Sequence, residues 1–321
     1  MYHKTWRNAK FWKKIADYRF VYLIFLPVAA FYIIFCYMPI FNTQTGGILM
    51  AFKHYRLNRN FFQMNWVGFQ WFRQLWALPD FWMVMRNTLL ISFGRLLFVF
   101  PMGIILAVML NEVKSGAYKR VSQTIFTFPY FLSWVLVISI IKDLLLSNGL
   151  FNQLIRSWGG ESVPFLSSRS IPLNLTLLFV TDIWKNAGWG AIIYLASMSG
   201  IDPSLYEAAE VDGANRWQRI CHVTWPGILP TVVIMLILSC GNILNAGFDQ
   251  IFNIRNSMNR NVIEILDTYI YHVGFGGAYN QSFSTAVGLF KAVINFALLL
   301  TANRIAYLTG QGGLFGKEAN A

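Results

Sequence analysis

The sequence predicts an all-α membrane protein with six transmembrane helices. Hydrophobic residues make up 56% of its 321 residues and charged residues only 12%, about half the charged share of a soluble domain. This composition excludes an ordinary soluble domain and a disordered chain. In so apolar a chain, the net charge of +12 indicates membrane orientation first. Nucleic-acid binding is disfavoured because no basic, polar domain is present to support it.

Six apolar stretches are long enough to cross a bilayer. A helix that spans a hydrocarbon core of about 30 Å needs roughly 20 apolar residues. The six stretches are Val21–Phe41, Asn87–Leu110, Val121–Ile141, Leu173–Gly200, Gly227–Ile254 and Phe283–Ala306. The first is predicted to remain as a span, because it is too long for a signal peptide and no small-residue cleavage site follows it.

Basic residues near the span ends predict the orientation. The first twenty residues carry six Lys and Arg against one Asp, which places the N terminus in the cytoplasm. Six spans return the C terminus to the same side. The predicted layout is a basic segment 1–20, a first span 21–41, an outer segment 42–86, a five-helix core 87–306 with a cytoplasmic loop 201–227, and a cytoplasmic tail 307–321.

The loop between the fourth and fifth predicted spans has the pattern of two short helices. Asp202-Pro203 predicts an N-cap followed by proline in the first turn. Asp212-Gly213 predicts a sharp corner, because glycine tolerates a positive φ. A second helix then follows, and Pro226 is predicted to end it. Such a compact knob suits docking into another protein.

Each short helix carries an apolar stripe at helical spacing. The stripes are Leu205, Ala208 and Ala209 on the first helix, and Trp217, Ile220, Cys221 and Thr224 on the second. The alternative is an interfacial helix that lies flat on the lipid. Glu207, Glu210 and Asp212 count against that alternative, because clustered acids are repelled by an anionic inner leaflet.

The segment from Glu207 to Ala214, continuing through Gln218 to Pro226, resembles the E-A-A-x-x-D-G-A…P signature of binding-protein-dependent ABC importer permeases. Mild departures occur at Ile220, Val223 and Trp225. Other segments resemble the LplB-like polysaccharide branch of those permeases, and the resemblance runs from about residue 20 to 308. They are Trp66–Gly68, Phe81-Trp82, Asn87-Thr88, Leu110–Val113, Asp182–Lys185, Gly188–Gly190, Gly241–Asn245, Asp267–Tyr269 and Ala286–Lys291.

This resemblance implies the type I ABC importer permease fold, with residues 203–226 forming a cytoplasmic coupling helix in a cleft of an ATPase subunit. The implied ATPase-coupling residues are Tyr206, Glu207, Ala208, Ala209, Asp212, Gly213, Ala214 and Arg216. The implied partners are a second permease subunit that is a different chain, two cytoplasmic ATPase subunits and an external solute-binding protein. ATP and Mg²⁺ would bind to the ATPase subunits, in the bacterial inner membrane complex.

The sequence does not predict an ATPase or another enzyme, and no cofactor is expected on this chain. The nearest match to a P-loop is Gly316-Lys317, where Gln311 replaces the first glycine and Glu318 replaces the Ser or Thr that coordinates Mg²⁺. Three scattered Cys and four scattered His have no metal-ligand spacing, so no metal site is expected. Paired carboxylates and nucleophile motifs are also lacking.

Charged residues in or near the spans are candidates for a translocation path, because burying them in a membrane is costly. Arg86 lies at a span end, where it can snorkel. Asp182 and Lys185 share a helix face and can neutralise each other. Arg95 and Lys291 lack such a neighbour, so they are expected to pair with acids on other helices or to meet an anionic solute.

Polar and aromatic residues extend the predicted path. Asn242, Asn245 and Asp249 would form one polar face along the fifth span, serving either as helix–helix contacts or as part of a path. Trp184 and Trp189 could cover the apolar faces of sugar rings.

The sequence therefore predicts an ABC importer permease for an oligosaccharide or polysaccharide. The basic excess in the spans favours an acidic one such as alginate. The alternative is an ion-coupled secondary carrier, which would need an inverted repeat or a buried acid relay.

Overall fold

The computed structural model describes residues 17–41, 47–56, 61–113, 115–276, 279–310 and 313–314. The described chain is mostly helical, and its only β feature is an isolated bridge between Lys53 and Trp66. Most of the predicted basic N-terminal segment, at 1–16, lies outside the described residues. So do 311–312 and 315–321 of the predicted tail.

Sixteen α-helices are found in the described residues. They are α1 Arg19–Tyr32, α2 Met38–Phe41, α3 Gln70–Ala77, α4 Pro79–Gly94, α5 Phe100–Asn111, α6 Gly116–Thr127, α7 Trp134–Leu145, α8 Leu150–Ser157, α9 Ile171–Ser199, α10 Pro203–Val211, α11 Arg216–Arg219, α12 Trp225–Gly241, α13 Phe248–Ile254, α14 Arg260–Ile263, α15 Leu266–Phe275 and α16 Gln281–Leu308. Three π-helical segments continue the helical path between neighbours, at Ile33–Tyr37, Arg95–Val99 and Ile220–Thr224. Three 3₁₀ turns lie at Gly47–Phe52, Phe61–Gln63 and Phe128–Phe131.

Five helical stretches in the described chain are long and apolar enough to cross a membrane. They are Arg19–Ile40, Pro79–Asn111, Trp134–Ser157, Arg216–Gly241 and Gln281–Leu308. The fourth predicted span corresponds to α9, whose 29 residues make a helix of about 43 Å. Its length is sufficient, but Asp182 and Lys185 interrupt its apolar sequence. Hydropathy alone therefore gives five spans where six were predicted.

The second predicted span begins earlier than Asn87. Leu78 is extended, as expected before a proline, and Pro79 occupies the first turn of α4. A π-helical segment then joins α4 to α5, giving a continuous stretch of 33 residues. The end of the predicted outer segment 42–86 is therefore part of this helix.

The third predicted span, Val121–Ile141, is wrong as a single helix. The chain forms a 3₁₀ turn at Phe128–Phe131, with Pro129 in its first turn, and Leu132 is extended. A new helix begins after Ser133, whose hydroxyl accepts a hydrogen bond from the Leu136 N–H at 3.2 Å. The break exposes backbone carbonyls in the middle of the predicted span.

The fifth predicted span, Gly227–Ile254, is also wrong as a single helix. Pro226 lies in the first turn of α12 and does not end the preceding helix, so the helical path runs from Arg216 to Gly241. The path then breaks, and α13 begins after Gly247, whose φ is +84°. Only glycine adopts that backbone conformation without strain.

Buried side chains form three clusters around α9 and α4. One cluster joins α3, α4, α15 and α16. A second joins α4, α7, α9, α13 and α14, and a third joins α5, α9 and α12. None of the side chains of α1 is buried, so this helix lies outside the core. The central position of α9 places its polar residues between the other spans.

Candidate coupling knob and translocation path

The coupling knob is the segment 202–224, and its first helix α10 begins with a side-chain cap. The Asp202 carboxylate accepts a hydrogen bond from the Ser204 N–H at 2.9 Å, and Pro203 occupies the first turn. The same bond lowers the pKa of Asp202 from its ordinary value. The predicted cap is thus found at the predicted residue.

The corner of the knob lies at Gly213, whose φ is +76°. The Gly213 N–H donates to the Glu210 carbonyl at 3.1 Å, and the Ala214 N–H donates to the Ala209 carbonyl at 2.9 Å. This pair of bonds is a Schellman motif, which satisfies the last carbonyls of α10. Asn215 then caps α11 in a reciprocal capping box with Gln218.

Side chains tie the two arms of the knob together. The Tyr206 hydroxyl lies 2.9 Å from the hydroxyl of Thr224, which is buried. Arg219 forms an ion pair with Glu210 at 3.4 Å on the exposed surface. These contacts join α10 to the helical segment that continues into α12. The first helix of the knob is therefore attached to a span through side chains as well as through the backbone at Gly213.

The outer surface of the knob is apolar at several positions. Val211 is 88% exposed, Trp217 is 71% exposed and Leu205 is 53% exposed. In the predicted apolar stripe of α10, Leu205 and Ala208 are exposed and Ala209 is half-buried. Of the predicted coupling residues, Tyr206, Ala209 and Ala214 are half-buried, and the others are exposed: Glu207, Ala208, Asp212, Gly213 and Arg216.

The predicted neutralisation of Asp182 by Lys185 is replaced by a pair between different helices. Arg95 Nε lies 3.0 Å from an Asp182 carboxylate oxygen, and Asn186 donates to the other oxygen. Lys185 Nζ instead donates to the Tyr130 carbonyl at 2.6 Å, and within the described residues it forms no ion pair. The carbonyls of the broken third span provide this alternative partner.

Two cavities contain most of the predicted path residues. The first, of about 310 Å³, is lined by Arg95, Asp182, Asn186, Asn242 and Asn245, together with serine and apolar side chains. The second, of about 500 Å³, is lined by Lys185, Asp249, Asn186, Asn253, Tyr130 and Trp134 among others. Asn186 lines both cavities, so they are neighbours.

The remaining predicted path residues lie outside the linings of these two cavities. Trp189 stacks on Tyr130 with ring centroids 4.4 Å apart, so it supports the wall of the second cavity. Trp184 is 52% exposed, and Lys291 forms an ion pair with Asp267.

The expected single polar face on the fifth span is wrong, because the helix ends at Gly241. Asn242 and Asn245 follow it in a turn, where their side chains bond each other at 2.7 Å. Asp249 lies on α13 and lines the other cavity.

Sequence reasoning missed Asn186, Tyr130 and Trp134. Pro129, within a predicted span, was the one available signal that a break would present Tyr130 to the path. No group of three or more metal-ligating side chains occurs in the part of the chain that the structure describes.

Long apolar helices, polar cavities between them and a capped, exposed knob define a membrane permease. The chain belongs to the family described as the binding-protein-dependent transport system inner membrane component, whose model matches residues 99–307. The predicted family and the predicted type I ABC importer permease fold are confirmed. The chain is thus a transport subunit of an ABC importer, a class that works with ATPase and further permease subunits.

Relatives and a solved structure cover almost the whole chain. The chain is 42% identical to the protein LplB of Bacillus subtilis, over 92% of this chain and 91% of that protein. It is 39% identical to YteP, a polygalacturonan/rhamnogalacturonan transport system permease protein of the same organism, over 94% of this chain and 92% of that protein. The chain is also similar to one in the crystal structure of a bacterial alginate ABC transporter in complex with an alginate pentasaccharide-bound periplasmic protein. The TM-score is 0.83 and the identity is 36%, and the match covers 94% of this chain and 99% of that chain.

Proposed function

We propose that this permease imports an acidic oligosaccharide or polysaccharide across the bacterial inner membrane, driven by ATPase subunits that bind the coupling knob. The observation that carries the coupling proposal is the knob itself: a capped, cross-linked corner whose apolar surface is left exposed. Val211 at 88% and Trp217 at 71% exposure are typical of a surface that another protein covers. Glu207 lies beside them as an exposed acidic contact.

The proposed complex contains a second permease subunit that is a different chain, two cytoplasmic ATPases and an external solute-binding protein. In it, ATP and Mg²⁺ bind to the ATPase subunits and this chain takes no cofactor. Both termini are cytoplasmic in this proposal. The predicted division at 1–20, 21–41, 42–86, 87–306 and 307–321 is kept, with an earlier start for the second span and with breaks in the third and fifth spans. The complex with a periplasmic binding protein in the similar alginate transporter supports the solute-binding partner, and the family supports the ATPase and permease partners.

The two cavities support a saccharide as the transported solute. Amide and hydroxyl groups line the first cavity, and aromatic side chains with Lys185 and Asp249 line the second. Amides bond sugar hydroxyls, while aromatic rings cover the apolar faces of sugars. The acidic class is supported by the names of two similar proteins, a polygalacturonan permease and an alginate transporter.

Charge reversal on the knob tests the coupling proposal. Glu207→Lys should greatly reduce binding of the ATPase subunit and abolish the ATP hydrolysis stimulated by the loaded binding protein, because it places a cation in the proposed contact. The matched control is Glu161→Lys, which makes the same charge change at an exposed residue between the third and fourth predicted spans. Both variants are purified as complexes and compared by subunit stoichiometry and ATPase rate.

The coupling proposal is wrong if Glu207→Lys keeps normal subunit binding and normal stimulated hydrolysis. An equal loss in both variants would also contradict it, because the effect would then not be specific to the knob.

A further inference from the structure

Arg95 lies at an irregularity in the second span. It is the first residue of the π-helical segment Arg95–Val99, between α4 and α5. π-helical insertions change the direction of side chains and are frequent at functional sites. The Arg95 side chain is 20% exposed and lines the first cavity, while its Nε is buried.

The protein holds the Arg95 guanidinium in place from two sides. Gln250 is fully buried, and its side-chain oxygen accepts a hydrogen bond from Arg95 Nη2. The Gln250 amide nitrogen in turn donates to Thr181 Oγ1 at 2.7 Å and to the Leu178 carbonyl at 2.9 Å. On another side, a Cβ at Gly247 would lie 2.2 Å from Arg95 Nη1, so the backbone of the broken fifth span contacts the guanidinium directly.

The contact between Arg95 and Asp182 is different. The two groups are 3.0 Å apart, yet Arg95 Nε has no hydrogen bond among the described residues, because the carboxylate is poorly aligned with the N–H. Asp182 has a separate partner in Asn186. A buried ion pair compensates for the loss of hydration only when its geometry is good. This pair is therefore well suited to exchange.

We propose that Arg95 binds a carboxylate of the transported saccharide in the first cavity, and that this carboxylate replaces Asp182 as the partner of the guanidinium. Asp182 keeps its bond to Asn186 during the exchange, and Gln250 keeps Arg95 in position. The ion pair is then a gate in the first cavity, opened by an acidic sugar, beside the Asn186 that lines both cavities. This inference rests on the proposed function and names the residue that selects the acidic class.

The chemistry of the cavity favours a carboxylate over other anions or a neutral sugar alone. A guanidinium binds a carboxylate through two parallel hydrogen bonds. Apart from Arg95 and Asp182, the polar groups of the lining are Ser92, Asn186, Ser239, Asn242 and Asn245, which are neutral and suited to sugar hydroxyls. A volume of about 310 Å³ is at the lower end of the range for small-ligand pockets, which fits a short part of a chain rather than a whole oligosaccharide.

The test uses the complete transporter with its binding protein in proteoliposomes. The probe is an alginate pentasaccharide, and the neutral probe is the same molecule with its carboxylates reduced to primary alcohols. Uptake is measured for the wild type, the charge swap Arg95→Asp with Asp182→Arg, and the single variants Asp182→Asn and Arg95→Lys. The control is a second swap, Arg120→Asp with Asp143→Arg, which makes the same two charge changes at exposed residues that line neither cavity.

We expect the Arg95–Asp182 swap to lose uptake of the pentasaccharide by about ten- to a hundredfold, the range for loss of a charge-assisted hydrogen bond. Asp182→Asn should lower the half-saturating concentration of the pentasaccharide, because it removes the competing carboxylate. Arg95→Lys should raise that concentration several-fold, because it keeps the charge and loses the two-point contact. The control swap should transport like the wild type.

The inference is overturned if the Arg95–Asp182 swap transports the pentasaccharide like the wild type, or if Asp182→Asn loses as much uptake as the swap. If the swap fails to assemble, the opposite shifts expected for Asp182→Asn and Arg95→Lys still decide the question. Wild-type uptake of the neutral probe but not of the acidic one would overturn the inference and leave the saccharide importer intact. If the transporter takes up neither probe nor any other saccharide, the proposed function itself is refuted.

Discussion

Gly188 allows α9 to approach α6 closely enough for backbone contact. A Cβ placed there would lie 2.0 Å from the Phe126 carbonyl oxygen and 2.7 Å from the Thr127 nitrogen. Ordinary contact begins near 3.4 Å, so Gly188→Ala must push the helices apart by about 1.4 Å. Both obstacles are backbone atoms, which cannot move aside like a flexible side chain. Overpacking of this kind costs about 1–3 kcal/mol.

The displacement should also affect transport. α6 leads directly into the turn that supplies the Tyr130 carbonyl, which accepts the 2.6 Å hydrogen bond from Lys185 in the second cavity. Gly188→Ala is therefore expected to lower the melting temperature of the purified complex by several degrees and to reduce uptake. Melting is followed by intrinsic fluorescence, and uptake with labelled saccharide in proteoliposomes.

Gly190→Ala is the matched control on the same helix. A Cβ at Gly190 would lie 3.8 Å from the Gly103 Cα, which is ordinary van der Waals contact. This variant should leave stability unchanged or raise it by about 0.5–1 kcal/mol, because Ala has the higher helix propensity. Equal behaviour of the two variants would refute the argument, because it would show that the close approach at Gly188 has no energetic consequence.

Three further predictions concern the knob. Gly213→Pro should abolish stimulated ATP hydrolysis, because proline lacks the N–H that bonds to Glu210 and cannot adopt a φ of +76°. Gly213→Ala should reduce that hydrolysis only partly, because no atom lies within 4 Å of its Cβ. Tyr206→Phe removes the hydroxyl bonded to Thr224 and should weaken the link between the arms by about 0.5–1.5 kcal/mol, measured as less transport per ATP hydrolysed. Asp202→Ala should loosen α10 in hydrogen exchange, whereas Asp202→Asn should retain the cap. Folding lowers the pKa of Asp202. The stabilisation that its ionised cap provides is therefore complete at pH values above the ordinary pKa of Asp, and it is lost as the pH falls through the lowered pKa.

Local signals in the sequence predicted the knob well. Asp202 and Gly213 act on their own immediate neighbours, through a cap and a left-handed backbone, so their roles follow from residue type and order. The family signature from Glu207 to Ala214 added the expected partner. The predicted end of the second helix was the exception. A proline in the first turn of a helix and a proline that ends a helix look the same in sequence, and Pro226 is in the first turn of α12.

The contacts inside the path were less predictable, because they depend on how distant helices pack. Arg95 had no carboxylate near it in sequence, and its partner Asp182 lies on α9. The assignment of Asp182 to Lys185 failed because the break at Pro129 offers Lys185 backbone carbonyls that a continuous third span would have kept for itself. Likewise, the helix of the fifth span ends at Gly241 and the next begins after Gly247, and the hydropathy of the flanking residues gave no sign of that break.

The helix of the fifth span connects the knob to the wall of the first cavity. Because Pro226 does not interrupt the helix, residues Arg216–Gly241 form one path of 26 residues, about 39 Å long. One end carries the knob corner and the Tyr206–Thr224 tie. The other end passes into the turn that holds Asn242 and Asn245 and leads to Gly247, whose backbone contacts Arg95. In the proposed coupling, this continuous helical path is the element through which a movement of the knob is expected to reach the wall of the first cavity.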